Sequence, residues 1–148
     1  IIVMDDGEIV QIGSPAELFD RPKTTFVGYF IGAPAMNFFG CEAINSNVIN
    51  FNGTEITTTT DLSGVKNKDL KLGIRSEYIQ FSDSIGENTI LASIQSVDDW
   101  GNHKLVTADF DGNIIKIKVK RETEVPTDKV FLTLPAQHCC IYNNEILL

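Results

Sequence analysis

Hydrophobic and polar positions follow different patterns on the two sides of residue 33 in this 148-residue chain. In the first part, apolar runs at 1–4 and 9–12 flank the turn Asp5-Asp6-Gly7 and predict a β-hairpin. The next residues, Ser14-Pro15-Ala16-Glu17, predict the start of a short helix, because Ser14 can cap it and Glu17 completes a capping box. Since Ile1 lies inside an apolar run, we interpret the chain as a fragment cut from a longer protein.

A second short helix is predicted after Thr24, which can serve as its N-cap. Its apolar side chains form one stripe, which consists of Phe26, Val27, Phe30 and Ile31. A helix this short cannot bury such a stripe alone. We therefore expect the first 33 or so residues to be poorly ordered, or to pack against a neighbouring copy of the chain.

From residue 37 onward the pattern is that of short β-strands separated by Asn, Asp and Gly turns. The predicted strands are 38–44, 48–51, 54–59, 71–74, 79–81, 89–97, 104–110, 113–119, 129–134, 139–141 and 146–148. Turns at Asn52-Gly53, Asp111-Gly112 and Asn143-Asn144 are typical of tight type I′ hairpins. The fold class is therefore mainly β, an antiparallel barrel of the oligonucleotide/oligosaccharide-binding (OB) type in residues 37–148. Residues 1–36 form a separate hairpin-plus-helices segment.

Composition and charge exclude several function classes. The chain is 43% hydrophobic and 22% charged, which is ordinary for a globular protein. Its formal net charge of −8 argues against binding to nucleic acid or to an anionic membrane surface. No signal peptide is recognisable, and no apolar run approaches the roughly 18 residues of a membrane span.

The three cysteines indicate a reduced cytoplasmic compartment rather than a disulfide framework, because their number is odd and Cys139 and Cys140 are adjacent. His138 beside this pair raises a metal site as an alternative to buried strand cysteines. The chain lacks the C-x₂-C spacing of common zinc sites, so no metal ligand is predicted.

Three segments carry a family resemblance. Residues 3–15, VMDDGEIVQIGSP, resemble the last hairpin of an ABC-type nucleotide-binding domain. Residues 26–38, FVGYFIGAPAMNF, resemble the exit helices and linker of carbohydrate-importer ATPases, and 73–79, GIRSEYI, is similar to their Gly-Ile-Arg-Pro-Glu-His segment. Ser76, Tyr78 and Trp100 depart from the family pattern, in which proline, histidine and leucine are usual.

The resemblance implies the C-terminal regulatory region, of the TOBE or OB type, of an ATP-binding subunit for maltose, multiple sugars or glycerol 3-phosphate. Residues 1–36 would then be the end of an α/β nucleotide-binding domain. The implied partners are a second copy of the subunit in a homodimer, membrane permease subunits and a regulatory protein, but no nucleic acid. The implied location is cytoplasmic, peripheral on the inner face of the cell membrane.

Catalysis is not expected of this fragment. The phosphate loop G-x-x-x-x-G-K-[ST], the ABC signature motif and the metal-binding aspartate with its neighbouring glutamate are all missing from the sequence. No Ser/His/Asp or Cys/His arrangement has supporting spacing. The fragment therefore needs no cofactor, whereas the resemblance assigns ATP and magnesium to the parent protein.

Two groups of residues are candidates for ligand or partner contacts. Arg75 and Glu77, two positions apart on a predicted strand, would face one side and form an ion pair or contact a partner chain, unless they are a solvated surface pair. Asp98, Asp99 and Trp100 have a composition common in sugar sites, and the alternative is a hydrophobic anchor in the barrel or at a dimer contact. The function predicted is a regulatory and dimer-stabilising domain. The alternative is a sensor of a small ligand, namely a sugar, a metabolite or an oxyanion, although the acidity disfavours an anion.

Overall fold

A computed structural model describes residues 1–66 and 69–148. We call residues 1–31 the N-terminal layer, which contains strands β1 (Ile2–Asp5) and β2 (Glu8–Ile12) and helices α1 (Pro15–Asp20) and α2 (Thr25–Phe30). The remaining strands are β3 (Asn37–Ala43), β4 (Val48–Phe51), β5 (Thr54–Thr57), β6 (Asp69–Ile74), β7 (Gln80–Ser82), β8 (Thr89–Asp99), β9 (His103–Phe110), β10 (Asn113–Lys120), β11 (Lys129–Thr133), β12 (Cys140–Asn143) and β13 (Ile146–Leu147). A 3₁₀ turn at Ala136–His138 precedes β12.

The strands after the N-terminal layer form two antiparallel sheets that enclose one core. The six-stranded sheet has the order β13-β12-β6-β3-β4-β5, and the five-stranded sheet has the order β10-β9-β8-β11-β7. Buried side chains from both sheets fill the space between them, among them Phe39, Phe51, Ile74, Ile117 and Leu132. The prediction of a mainly β, OB-like fold is confirmed, and each of the eleven predicted strands overlaps an observed one.

Two asparagine side chains join the sheets, each by bonding to an edge strand of the other sheet (β10 for Asn37 and β5 for Asn88), and we call these places the seams. At the first seam, Asn37 Nδ2 donates to Lys116 O and Lys116 N donates to Asn37 Oδ1, both at 2.9 Å. At the second, Thr57 N donates to Asn88 Oδ1 at 2.8 Å, and Asn88 Nδ2 donates to Thr57 O at 2.8 Å and Leu134 O at 2.9 Å. Each amide therefore imitates the backbone pairing of a neighbouring strand.

The tight hairpins follow the sequence prediction. Asn52 and Gly53 both have positive φ, as do Asp111 and Gly112, which is the backbone of a type I′ turn. The turn between β12 and β13 uses Asn144 and Glu145, both with positive φ, one position later than the predicted Asn143-Asn144. These turns fix the strand register that gives the barrel its inward and outward faces.

The N-terminal layer packs on its own barrel. Val3, Leu18 and Val27 form a small core within the layer, and Thr24 makes an isolated β-bridge with Ile146. The expectation that this segment would be poorly ordered or would pack against another copy is therefore wrong, because its polar backbone groups find partners on the barrel. Within the described ranges, no helix is long and apolar enough to cross a membrane.

The predicted apolar stripe of α2 is buried only in part. Val27 is fully buried and Phe26 and Ile31 are half-buried, whereas Phe30 is 66% exposed. The exposed Phe30 ring stacks on Phe26, with ring centroids 5.7 Å apart. The stripe thus contributes to the core of the layer and also leaves one aromatic ring at the surface.

Candidate functional site

Arg75 connects the barrel to the N-terminal layer. It follows β6 directly and is only 1% exposed. Its Nε donates to Phe19 O at 2.8 Å, and its Nη1 donates to Gly28 O at 3.1 Å and Ile31 O at 2.6 Å. These carbonyls lie at the C-terminal ends of α1 and α2, where backbone oxygens lack helical partners and the helix dipole favours a cation.

The Arg75 guanidinium also packs against an aromatic ring. Its central carbon lies 4.3 Å from the centroid of the Phe19 ring, in a cation–π contact. Burial lowers the pKa of Arg75, and the nearby charge of Glu77 acts in the opposite direction. Nη2 is buried without a hydrogen-bond partner among the described residues. Arg75 therefore holds the two helix ends against the barrel through donor geometry that only a guanidinium provides.

Arg75 and Glu77 do not share a strand face. The strand β6 ends at Ile74, and residues 76–78 form a turn, so the two side chains are not related by strand alternation. Glu77 accepts a hydrogen bond from Ser76 Oγ at 2.9 Å, and the ion pair expected between Arg75 and Glu77 does not form in the described part of the chain. Arg75 is enclosed by its own chain, and a partner contact by Glu77 stays a prediction.

A second set of contacts supports the same interface from the other side. Tyr78 donates its hydroxyl to Asp20 and stacks on His138, with ring centroids 3.8 Å apart. The hydrogen bond to Asp20 is the largest cause that raises the pKa of Tyr78 to about 12. Tyr142 is buried and donates its hydroxyl to Pro22 O at 2.8 Å. Arg75, Tyr78 and Tyr142 of the barrel region therefore contact the layer directly, and His138 packs behind Tyr78.

Glu145, in the β12–β13 turn, contacts both the N-terminal layer and strand β6 of the barrel. It accepts hydrogen bonds from Thr25 Oγ1 and from Lys71 Nζ, the latter at 2.6 Å. These two donors lower the pKa of Glu145, with the Lys71 contribution the larger. Its positive φ of 68° is unusual for a residue with a side chain and belongs to the second position of the β12–β13 turn.

We expect Glu145→Gln to flatten the acid side of the stability profile. Because the folded-state pKa of Glu145 lies below its ordinary value of 4.5, its contribution is present above pH 4.5 and is lost as pH falls through the lowered pKa. The side chain is largely exposed, so the difference should stay below about 1 kcal/mol. Urea unfolding at a series of pH values from 3 to 7 measures it. Equal pH slopes for both proteins would contradict the assignment.

Asp98, Asp99 and Trp100 meet at the tip of the β8–β9 hairpin. Asp99 accepts from the backbone N of Gly101 at 2.8 Å and from Arg121 Nε at 3.4 Å, and the first contact is the larger cause of its lowered pKa. Trp100 is 64% exposed and stacks on His103, with ring centroids 6.5 Å apart. The structure thus brings these three predicted residues together, and their role as ligand or partner contacts stays a prediction.

An apolar pocket opens beside this tip. Its volume is about 240 Å³, and its lining residues are Ala33, Pro34, Trp100, His103 and Leu105. The sequence did not indicate that the linker after α2 would form one wall of this pocket. The tryptophan in a short turn, Trp100, was a sequence signal for a contact site. The residues that form the opposite wall of the pocket lie about 65 positions earlier in the sequence, so no local pattern connects them.

A polar depression of about 360 Å³ lies on the outer face of the six-stranded sheet. Its lining residues are Gly40, Cys41, Glu42, Asn50, Asn52, Asp69 and Leu70. Sequence reasoning missed this group because its members come from three strands that are not all consecutive. Among the described residues, the lining holds carboxylates and amides and neither Lys nor Arg, and these described groups suit a neutral hydroxylated molecule better than an anion.

The three cysteines are buried and free of disulfides. Burial raises the pKa of Cys41 and of Cys139 to about 12, which keeps both thiols protonated and poorly reactive. In residues 1–66 and 69–148, no three His, Cys, Asp or Glu side chains are grouped so as to hold a metal ion. His138 instead stacks on Tyr78.

This chain is similar in sequence to a known domain family and to import ATP-binding proteins. A family model described as the MalK OB fold domain matches residues 32–79. The glycerol-3-phosphate import ATP-binding protein UgpC 2 of Agrobacterium fabrum is 30% identical over 93% of this chain and 37% of its own length. The maltose/maltodextrin import ATP-binding protein MalK of Vibrio parahaemolyticus is 29% identical over 98% of this chain and 41% of its own length.

A solved structure shares the fold. The cytoplasmic molybdate-binding protein ModG, crystallised with molybdate bound, superposes with a TM-score of 0.58 over 75% of this chain and 96% of its own, at 11% identity. This similarity concerns the fold alone. The chain spans about two fifths of the length of the curated relatives it matches. Residues 32–79 thus belong to the MalK OB fold domain family, and the chain is related over most of its length to the ATP-binding proteins of ABC-type sugar and glycerol-3-phosphate importers.

Proposed function

We propose that this chain is the regulatory and dimer-stabilising C-terminal region of the ATP-binding subunit of an ABC-type importer for a sugar or glycerol 3-phosphate. The observation that carries the proposal is the enclosed Arg75, which fastens the N-terminal layer to the barrel. A barrel held in this way moves as one body with the layer. The position of the barrel can therefore depend on the conformation of the domain to which the layer is attached, or can shift that conformation.

The outer face of the β1–β2 hairpin supports attachment of the layer to a further domain. Ile2 pairs with Ile12 and Met4 pairs with Ile9 across the two strands, and all four side chains are exposed. A contiguous aliphatic face of this kind is typical of an interface rather than of a solvated surface. We propose that a nucleotide-binding domain, with its ATP and magnesium, covers this face in the parent protein.

In this proposal the barrel is not a catalyst. It pairs with the barrel of a second subunit while the nucleotide-binding domains open and close. It also offers a surface to a regulatory protein, which must bind one state more tightly than the other to have an effect. The subunit lies in the cytoplasm, peripheral on the inner face of the cell membrane, where permease subunits hold it.

Two measurements on the purified 148-residue chain test the proposal. We expect no hydrolysis of ATP above the buffer control, because the chain contains none of the phosphate-binding sequence motifs. Sedimentation equilibrium should show reversible self-association. Nucleotide turnover that co-purifies with the chain would overturn the non-catalytic assignment, and a strict monomer at millimolar concentration would overturn the pairing role.

The polar depression favours a second candidate function, a small-ligand sensor. Glu42 and Asp69 oppose each other on adjacent strands, and Asn50 lies opposite Glu42 on the other side. Such a row of oxygen and amide groups can bind sugar hydroxyls. Isothermal titration with neutral sugars, sugar phosphates and molybdate discriminates, since we expect heat only from the neutral sugars if the depression is a sensor site. Absence of heat with all three would leave the interaction role.

A further inference from the structure

The apolar pocket beside Trp100, of about 240 Å³, has room for at least one aliphatic side chain. Its walls are the linker residues Ala33 and Pro34, the Trp100 and His103 rings, and Leu105. These walls offer a hexose little beyond the ring nitrogens of Trp100 and His103, so most of its hydroxyls would lose water without gaining hydrogen-bond partners. An aliphatic side chain gains from the same walls, because pockets of this kind accept the apolar anchor of a protein contact.

Two lysine side chains lie along the β10 side of this pocket. Lys118 Nζ lies 3.5 Å from the O of the lining residue Ala33. Lys120 is the cross-strand partner of the lining residue His103. Asp98 lies opposite Leu105 on the other flank and is the one rim carboxylate that these strand pairings place there. The β10 side of the rim is therefore basic in a chain whose net charge is −8.

The β7–β8 loop carries the complementary group. Ile85 is 72% exposed, more than the other large hydrophobic side chains of the described residues. Asp83 and Glu87 flank it at two residues on either side, and both are exposed. The loop thus presents one aliphatic side chain between two carboxylates, which complements an apolar pocket with a basic rim in polarity and charge.

We propose that the β7–β8 loop of a second copy of this chain docks on the pocket, with Ile85 between Trp100 and Leu105 and with Asp83 and Glu87 facing Lys118 and Lys120. This inference rests on the proposed pairing role and names the surface that carries it. The loop and the pocket are different surfaces, so two copies joined by one such contact keep a free loop and a free pocket that can add further copies. A two-fold arrangement prevents this addition, because it forms the contact twice and leaves neither surface free.

The length of β8 makes the two-fold arrangement possible. The docking loop precedes β8 and the pocket follows it, so the two surfaces lie at opposite ends of an eleven-residue strand. Eleven residues at the usual rise span roughly 35 Å. When two copies lie side by side with their β8 strands antiparallel, each loop reaches the pocket of the other. Both contacts then form in one encounter, which raises the affinity over that of either alone.

Sedimentation equilibrium of variants of the 148-residue chain tests the inference. We expect Ile85→Asp and Trp100→Ala to weaken self-association at least about tenfold each, because each removes one side of the buried apolar contact. Ile44→Asp is the matched control, since Ile44 is an exposed isoleucine at the end of β3 on the other sheet and should leave the association unchanged.

Charge reversal distinguishes docking from a general effect of charge. One variant carries Lys118→Glu and Lys120→Glu, and the other carries Asp83→Lys and Glu87→Lys. Each alone should self-associate less, because both of its contacts bring like charges together. An equimolar mixture should associate again, since both contacts of the mixed pair then join opposite charges.

The outcomes separate this inference from the pairing role itself. Wild-type association that is unaffected by Ile85→Asp and Trp100→Ala would overturn the docking surface and leave the pairing role intact. A mixture of the two charge variants that associates no better than either alone would also overturn it. A wild-type chain that remains monomeric at millimolar concentration would overturn both.

Discussion

Replacing Arg75 with alanine is expected to lower the free energy of unfolding by about 4 kcal/mol, the largest effect of any single substitution considered for this chain. Arg75 is enclosed and donates to the O atoms of Phe19, Gly28 and Ile31. Its loss leaves the O atoms of Phe19 and Ile31 without this donor, whereas Gly28 O keeps a hydrogen bond from Met36 N at 3.1 Å. A buried unsatisfied group costs about 1–3 kcal/mol. Urea unfolding followed by circular dichroism measures the change.

Three further variants define the cause. Arg75→Met fills much of the space and removes the cost of burying a charge, so it should recover only part of the loss if the carbonyl contacts dominate. Arg75→Lys keeps the charge but cannot reach three acceptors in the same fork, and it should be intermediate. Arg121→Ala removes an exposed arginine paired with Asp99 and should cost less than about 1 kcal/mol.

Hydrogen exchange gives the site-specific measurement for Arg75→Ala. The amides of α1 and α2 should lose protection first, while those of β8 and β9 keep theirs, because the substitution releases the N-terminal layer and not the barrel. Uniform loss of protection over the whole chain would show that Arg75 supports the barrel itself. Unchanged stability would contradict the role assigned to the side chain.

Replacing Asn88 with alanine is expected to cost about 3–4 kcal/mol through two separate effects. The amide of Asn88 makes two hydrogen bonds to Thr57 across the second seam and one to Leu134 O within its own sheet, and all three are lost. Asn88 also has a φ of +52°, a conformation that asparagine tolerates better than alanine does. Thermal and urea unfolding measure the total.

Asn88→Gly separates the two effects. Glycine adopts positive φ without strain, so this variant should lose the hydrogen bonds alone and be more stable than Asn88→Ala by about 1 kcal/mol. Asn88→Asp keeps the acceptor for Thr57 N but loses the donor to both carbonyls, and it should be destabilised more at pH 7 than at pH 4. Equal stability of the glycine and asparagine proteins would contradict the bridging role.

Much of this fold could be predicted from local sequence. The type I′ turns at Asn52-Gly53 and Asp111-Gly112 have the residues that this backbone requires, and strands flank them at the expected positions. The capping box of α1 forms as predicted between Ser14 and Glu17. In each case the information lies within about four neighbouring residues, so pattern reasoning was sufficient.

The contacts that join the units could not be predicted in this way. Arg75 and Phe19 are 56 positions apart, and Asn88 and Thr57 are 31 apart. An arginine after a strand is usually a surface residue, and an asparagine before a strand is usually part of a turn. Their roles depend on where the chain brings distant carbonyls, and no local pattern encodes that position. The docking of the N-terminal layer was missed for the same reason.

The seams also affect which hydrogen bonds of this barrel break first when a mechanical force acts on it. A strand ladder loaded along its strands must break several backbone hydrogen bonds at once, whereas the amides of Asn37 and Asn88 can release in succession. We therefore expect the two sheets to separate at these seams before any strand ladder breaks. A force that acts between two such barrels would first break the hydrogen bonds of Asn37 and Asn88. The buried hydrophobic core would then favour the return of the two sheets to their original contact.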